Sequence, residues 1–174
     1  IVPRSATSQS KISLSWQDGR LSEPTQEEQS IYEVLSLREE GGVRKPLLLY
    51  LTTTDEKDRK VNEKIQKVVF KDERIQIGAK LFTLVKLPRD RADDRIEKLV
   101  GRSNGPTLAA FSGSGKRVGV VDSKASASKL YGVMKTAAKK DYRTSLSSLV
   151  SKMKKILTAI DKLEGKKGAL QKRL

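Results

Sequence analysis

The side chains that could carry chemistry in this 174-residue chain are carboxylates, hydroxyls, amines and guanidiniums, because the sequence contains neither cysteine nor histidine. Thiol catalysis, disulfides, and zinc or iron sites built on cysteine or histidine are therefore excluded. Histidine triads and histidine acid–base catalysis are excluded for the same reason. Among the remaining side chains, no base, nucleophile and orienting group can be named together. The sequence therefore predicts a protein that is not an enzyme and that needs no cofactor.

Two clusters of charged residues stand out, and one of them could bind a metal ion. Asp55, Glu56 and Asp58 offer carboxylate oxygens of the kind that Ca²⁺ and Mg²⁺ prefer. Carboxylates at the start of a helix also stabilise its dipole and cap its amides, and we prefer this interpretation to a metal site. Acidic and basic side chains alternate between Arg89 and Arg95, which predicts a solvated ion-pair surface.

A glycine-rich segment at 112–116 invites comparison with a phosphate-binding loop. It departs from that pattern because Arg117 follows Lys116, where a serine or threonine is required, and because position 110 is alanine. The segment joins two apolar runs, so it predicts an ordinary hairpin turn.

Five apolar segments predict the strands that would position these residues. Residues 12–16 alternate apolar side chains with serine, which is typical of a half-buried strand. Residues 47–51 and 81–85 are short continuous apolar runs, typical of central strands buried on both faces. Residues 107–111 and 118–121 flank the glycine-containing turn and predict an antiparallel hairpin.

Helices are predicted between the strands. A capping box at Thr25 and Glu28 opens a helix of about 15 residues that stops at Gly41-Gly42. A second helix starts at Thr54 or Asp55. Together with the strands, these helices predict an α/β domain whose mixed sheet has helices on both faces. The second helix is predicted to contain Val61, Ile65, Val68 and Val69, and a turn is predicted at 75–78. A short helix capped by Asp93 or Asp94 follows. A last helix before residue 140 is predicted over Leu130–Ala138, capped by Asp122 or Ser123.

Three stretches in this order resemble the thioredoxin-like superfamily: Pro46–Thr54, Val68–Ile75 and Gly105–Leu108. The resemblance covers residues 12–140. Where that family carries Cys-x-x-Cys, an ungapped count places Glu56 and Arg59. The resemblance therefore implies a thioredoxin-like scaffold that has lost its redox activity.

The resemblance also implies a surface that binds an extended peptide of a protein partner. In the family this surface lies beside a cis-proline and the redox loop. A cis Gly105–Pro106 bond would fit, since X-Pro bonds tolerate cis, while the alternative is a proline that simply starts a strand. The predicted partner-binding residues are Thr54, Asp55, Glu56, Arg59, Gly105, Pro106 and Thr107.

The last part of the chain predicts a long amphipathic helix with a heptad stripe. Its apolar residues are spaced alternately by three and four, as in a coiled coil. The stripe could pair with its copy in a homodimer, which we prefer, or it could pack on its own domain. Gly165 and Gly168 weaken the helix, so it is expected to fray or end near Glu164. The predicted self-association residues are Leu146, Leu149, Met153, Ile156, Ile160 and Leu163.

The charge of the chain concentrates in the same region. The sequence has 36 basic and 21 acidic residues, a net charge of +15. Sixteen of the basic and four of the acidic residues follow Gly115, so this third carries +12. The alternative function is therefore binding of nucleic acid or another polyanion, although aromatic residues for base stacking are sparse here. The predicted contacts are Lys152, Lys154, Lys155, Lys162 and Lys166.

The predicted organisation is a flexible arm at 1–10, a thioredoxin-like domain at 11–140 and a basic amphipathic helix at 141–174. The longest apolar runs fall well short of the roughly 20 residues of a membrane-spanning helix. The chain starts at Ile1 rather than methionine. The sequence does not determine the compartment: the protein could be cytoplasmic or, if an upstream signal was removed, exported.

Overall fold

The computed structural model describes residues 3–38 and 44–174 of the chain. Within these residues a five-stranded sheet forms the centre of the molecule, in the order β1-β3-β2-β4-β5. Strands β1, β3 and β2 are parallel, and β4 is antiparallel to both β2 and β5. The mixed α/β fold predicted from the sequence is thereby confirmed. The strands are β1 (Gln17–Asp18), β2 (Leu47–Thr52), β3 (Thr83–Pro88), β4 (Thr107–Phe111) and β5 (Arg117–Val121).

Helices cover both faces of the sheet because the central strands bury side chains on both sides. Leu48 and Tyr50 point to one face, whereas Leu47, Leu49 and Leu51 point to the other. Helices α1, α3, α4, α6 and α7 pack on the first face, and α2 and α5 pack on the second. The helices are α1 (Ala6–Ile12), α2 (Ile31–Val34), α3 (Arg59–Lys67), α4 (Glu73–Gly78), α5 (Asp94–Val100), α6 (Ala127–Asp141) and α7 (Leu146–Lys172).

The start of the chain differs from the prediction. Residues 6–12 form α1, capped by Ser5, where the sequence predicted a loose arm followed by a strand at 12–16. The strand comes later and is only two residues long. Ile12 and Trp16 still pack into the core, so their burial was predicted, but the backbone that buries them was not. Trp16, Tyr50 and Phe70 form an aromatic cluster with ring centroids 5.2 to 5.7 Å apart.

The first predicted inter-strand helix is much shorter than expected. Helix α2 has four residues, and its capping box is formed by Ser30 and Glu33 rather than Thr25 and Glu28. The Thr25 hydroxyl instead donates to the Glu27 carbonyl at 3.2 Å. The predicted stop at Gly41-Gly42 lies outside the described residues.

The second predicted helix is broken into two. Helix α3 ends at Lys67, a short 3₁₀ turn covers Val69–Lys71, and α4 follows where the sequence predicted a turn. The break occurs because Asp72 accepts the amide of Arg74 and starts a new helix. Val68, which the sequence analysis placed in the second helix, follows the end of α3 and is 57% exposed.

The later elements agree better with the prediction. Asp93 caps α5 as expected, accepting the amides of Arg95 and Ile96. The hairpin turn at 112–116 is confirmed, since the Gly115 amide donates to the Ser112 carbonyl at 2.8 Å. Helix α6 is capped by Ser126, not by Asp122 or Ser123.

The long C-terminal helix is present, and it extends further than predicted. Helix α7 continues through Gly165 and Gly168 to Lys172, so the predicted end near Glu164 is wrong. No helix in the described part of the chain is both long and apolar enough to cross a membrane.

Candidate functional site

The loop after β2 is an exposed polar surface at the carboxyl edge of the sheet. Thr54, Asp55, Glu56 and Arg59 are all exposed, and we refer to these four residues as the loop surface. A 3₁₀ turn over Glu56–Asp58 leads from the strand into α3. Glu56 and Arg59 form an ion pair at 3.3 Å, which is too exposed to contribute much stability.

Asp58 fixes this loop against the segment before β4. Its Oδ2 accepts a hydrogen bond from the Thr53 hydroxyl at 2.9 Å, and the Thr53 carbonyl accepts one from the Asn62 amide at 3.0 Å. A Cβ added to Gly105 would lie only 2.9 Å from Asp58 Oδ1. The two halves of the predicted partner-binding site therefore lie side by side. Within the described residues, Asp55, Glu56 and Asp58 are not gathered into a cluster that could hold a metal ion.

The Gly105-Pro106-Thr107 segment is ordered around Arg89. Arg89 donates from Nε to the Gly105 carbonyl at 3.0 Å and from Nη2 to Thr107 Oγ1 at 2.7 Å. It also donates to Glu97 at 3.1 Å and to Ser103 at 3.0 Å. All three guanidinium nitrogens are thus used. The Gly105 carbonyl and the Thr107 hydroxyl are consequently occupied from inside the protein.

The same segment does not present an open cis-proline face. Among the described residues no peptide bond is cis, so Gly105–Pro106 is trans and the cis bond implied by the resemblance is absent. Pro106 and Thr107 are buried at the start of β4, as in the alternative of a strand-start proline. Of the seven predicted partner-binding residues, only those of the loop surface are fully exposed.

The predicted ion-pair surface is also different from expectation. Asp90, Arg91 and Asp94 are exposed as expected. Arg89 and Arg95 are instead largely shielded from solvent, because their side chains are only 20% and 21% exposed. Arg95 pairs with Asp93 at 2.7 Å and donates to the Ser22 carbonyl at 2.7 Å, which ties α5 to the loop before α2. The sequence did not predict that Arg89 and Arg95 connect separate segments of the chain in this way. One signal was available for Arg89: it follows β3 directly, and Pro88 is in register with Thr52 at the same sheet edge.

Helix α7 presents two different apolar sides. Leu146, Val150 and Leu157 are buried against the domain. By contrast, Ile156, Leu163 and Leu170 are 53%, 65% and 62% exposed. These three follow one another at intervals of seven residues, and we call them the outer stripe. The predicted self-association set is therefore divided: Leu146 lies in the core, Leu149, Met153 and Ile160 are half-buried, and Ile156 and Leu163 face outward.

A polar clasp joins the N-terminal segment to α7, and no local sequence pattern predicts it. Arg4 donates to both Glu73 and Asp161, and the Ser8 hydroxyl donates to Asp161 at 2.6 Å. The Ser5 amide donates to the same carboxylate at 3.2 Å. The hydrogen bonds from Ser8 and Ser5, followed by that from Arg4, hold the pKa of Asp161 well below its ordinary value.

The predicted polyanion contacts do not share one side of α7. Lys152, Lys155, Lys162 and Lys166 are exposed. Lys154 is half-buried, and its ammonium lies 3.9 Å from Glu73 on α4. The four exposed lysines are divided by the helical repeat, since Lys152 lies one turn from Ile156 and beside the outer stripe.

A scan against protein-family models finds no match to this chain, and a search of curated proteins finds none either.

Proposed function

We propose that this protein is a thioredoxin-like domain without redox chemistry that works by binding, and that it assembles as a dimer through α7. The mixed sheet, with β1, β3 and β2 parallel and the β4–β5 hairpin antiparallel, agrees with the thioredoxin-like resemblance. In such a domain the loop after β2 would carry the redox cysteines, and here it carries Thr54–Arg59. Its position beside Gly105 supports a binding surface that kept its place and lost its thiols.

The observation that carries the assembly part is the outer stripe. Its three side chains recur every seven residues on a helix that already buries a separate side against its own domain. A seven-residue repeat keeps one side of a helix facing a partner helix over several turns. A second copy of the chain offers the same stripe, so a two-fold interface would be self-complementary. We therefore assign the outer stripe to a second copy.

Pairing of two outer stripes would bury apolar side chains of both copies. Burying a leucine or isoleucine side chain contributes about 1.5 to 3 kcal/mol. The three side chains of each copy are 53 to 65% exposed, so pairing would recover roughly half of this amount per residue, against the entropy cost of association. Half-buried Leu149 and Ile160 border the stripe and would add to the contact.

The loop surface is the second part of the proposal. Thr54, Asp55, Glu56 and Arg59 are exposed on a loop that Asp58 holds in place. A rigid base under exposed polar side chains is the arrangement expected of a recognition loop. We assign these four residues to a protein partner, bound through side chains because the Gly105 carbonyl is already engaged.

The test measures the mass of the protein in solution by analytical ultracentrifugation. Deleting α7 would remove Leu146, Val150 and Leu157 from the core, so point substitutions are cleaner. Changing Ile156, Leu163 and Leu170 to glutamine keeps helix propensity and should weaken association at least about a hundredfold. Val68→Gln removes an exposed aliphatic side chain from another element and should leave the dimer intact. A wild-type protein that is monomeric at every concentration would disprove the assembly proposal.

A further inference from the structure

A row of cations lies on the side of α7 opposite the core. Lys155, Lys162, Lys166 and Arg173 are all exposed, and they follow one another at intervals of seven, four and seven residues. At 3.6 residues per turn these intervals keep the four side chains on one side, roughly opposite Leu146, Val150 and Leu157. We call these four residues the cationic row. With a rise of about 1.5 Å per residue, the row is about 27 Å long.

The row has no acidic counterpart within the described residues. Helix α7 contains two acidic residues, Asp161 and Glu164. Both face the N-terminal segment, where Asp161 binds Arg4 and Ser8, and Glu164 interacts with Ser5 and Thr7. No ion pair of the described residues involves a member of the row. Both acidic side chains of α7 therefore interact with the N-terminal segment, and the charged side chains on the opposite side of the helix are all cations.

This arrangement is not explained by helix stability. Cations near the last turn interact favourably with the helix dipole, which accounts for Arg173. Lys155 lies in the middle of the helix, and Lys162 and Lys166 are like charges four residues apart, which destabilises a helix. A ligand that neutralises the row would remove this repulsion.

The side chains between the cations point to the kind of ligand. By the helical repeat, Ser148, Ser151, Ala159 and Ala169 border the row, and all four are small and exposed. Small neighbours let a charged backbone approach closely. The exposed outer stripe lies roughly 80° round the helix from the row, so binding to vesicles is compared with binding to a duplex in the test below. Aromatic residues for base stacking are absent from α7.

We propose that the cationic row binds the phosphodiester backbone of a double-stranded nucleic acid without reading its sequence. A duplex presents about one negative charge per 1.7 Å of its axis, so a row of this length meets a continuous line of phosphates. Lysine suits such contacts as a point charge, while specificity for a base would need contacts in a groove. The row and the outer stripe lie on different sides of α7, so this inference does not depend on the dimer.

The experiment uses the full chain and measures binding to labelled duplex DNA and duplex RNA by fluorescence anisotropy across a salt series. One variant changes Lys155, Lys162, Lys166 and Arg173 to glutamine. The control changes Lys60, Lys64, Lys67 and Lys98 to glutamine, which removes the same charge from exposed positions on α3 and α5. The row variant should bind at least about tenfold more weakly at low salt, and its salt slope should fall by about 3 to 4 because each phosphate contact contributes about 0.9.

Three results would overturn the inference. The first is an absence of duplex binding by the wild-type protein at about 50 mM salt. The second is an equal loss in the control, which would assign binding to net charge alone. The third is tighter binding to phosphatidylserine vesicles or to polyglutamate than to either duplex. Circular dichroism of both variants shows whether α7 stays helical, and a row variant that binds as tightly as the wild type also contradicts the proposal.

Discussion

Arg89 is the residue that most directly shapes the edge of the sheet beside the loop surface. It donates four hydrogen bonds, to Gly105, Thr107, Glu97 and Ser103, from a side chain that is only 20% exposed. Hydrogen bonds to charged groups contribute about 1.5 to 3 kcal/mol, and an acceptor left unpaired by a substitution adds a further cost. We expect Arg89→Gln to lower the free energy of unfolding by about 2 to 3 kcal/mol in urea titrations.

Arg91 provides the matched control for this substitution. It belongs to the same 3₁₀ turn, but it is exposed and forms no hydrogen bond or ion pair with the other residues that the structure describes. Arg91→Gln should change the stability by less than about 0.5 kcal/mol, as is usual for surface sites. Equal effects of the two substitutions would mean that the Arg89 network contributes nothing specific.

Gly105 should tolerate a side chain poorly. Its φ of +68° lies in the left-handed region, which costs an L-residue roughly 1 to 2 kcal/mol. A Cβ would also crowd Asp58 Oδ1. Gly105→Ala should therefore destabilise the protein by about 1 to 2 kcal/mol and loosen the loop surface.

Gly132→Ala, in the middle of α6 with open space around it, should instead stabilise the protein by up to about 1 kcal/mol. Thermal unfolding of both variants measures the two signs.

Residue roles were predictable from sequence where they depend on near neighbours. The Asp93 cap involves residues two and three positions away, and a short pattern contains that information. The partners of Arg89 lie 8 to 18 positions away, and the Arg4 clasp spans more than 150. Such contacts exist only after the sheet has formed, so an alternating charge pattern looked like an ordinary surface.

At the scale of elements, apolar runs predicted strands more reliably than caps predicted helices. The sequence contains two capping boxes close together, at Thr25 and at Ser30, and local chemistry does not distinguish them. Burial decides between them, because Ile31 and Val34 are fully buried and Ser30 precedes them. The alternation at 12–16 predicted a strand, but Ile12 is the last residue of α1 and packs into the core from the end of a helix. Here too the local pattern predicted the burial and not the type of backbone.

The clasp between α1 and α7 should weaken in acid. Its central carboxylate, Asp161, has a pKa below its ordinary value of 3.8. A depressed pKa means that the contact contributes fully above the ordinary pKa and loses its contribution as the pH falls through the folded pKa. The attachment of the N-terminal segment should therefore weaken progressively as the pH falls below the ordinary pKa of 3.8 towards the lower folded pKa. The amide signals of Ser5 and Ser8 in an NMR titration would follow this change.

Asp161→Asn tests whether this carboxylate is responsible. The variant should show the detached amide signals already at neutral pH, and its stability should depend less on acid than that of the wild type. Glu63→Gln, at an exposed position of α3, should behave like the wild type. An N-terminal segment that stays attached in the Asp161 variant would show that Arg4 and Glu73 suffice.

At the scale of the whole molecule, α7 has three sides of different character. One side completes the core through Leu146, Val150 and Leu157. The outer stripe and the cationic row occupy the other two sides. The net charge of +12 after Gly115 was visible in the sequence, whereas its separation from the stripe required the position of the buried side.

The two proposed interactions of α7 should respond to salt in opposite directions. Lys152 lies one turn before Ile156, and Lys167 lies one turn after Leu163, on the side of α7 that carries the outer stripe. Pairing two outer stripes brings these cations of both copies together, so screening them should strengthen the dimer. Raising the salt from about 50 to 500 mM should lower the dimer dissociation constant several-fold while it weakens duplex binding steeply. Sedimentation equilibrium and anisotropy on the same samples measure both trends.

The variant with glutamine at Ile156, Leu163 and Leu170 should remain monomeric at every salt concentration. A dimer that dissociates as salt rises would mean that ion pairs, rather than the outer stripe, hold the two copies together.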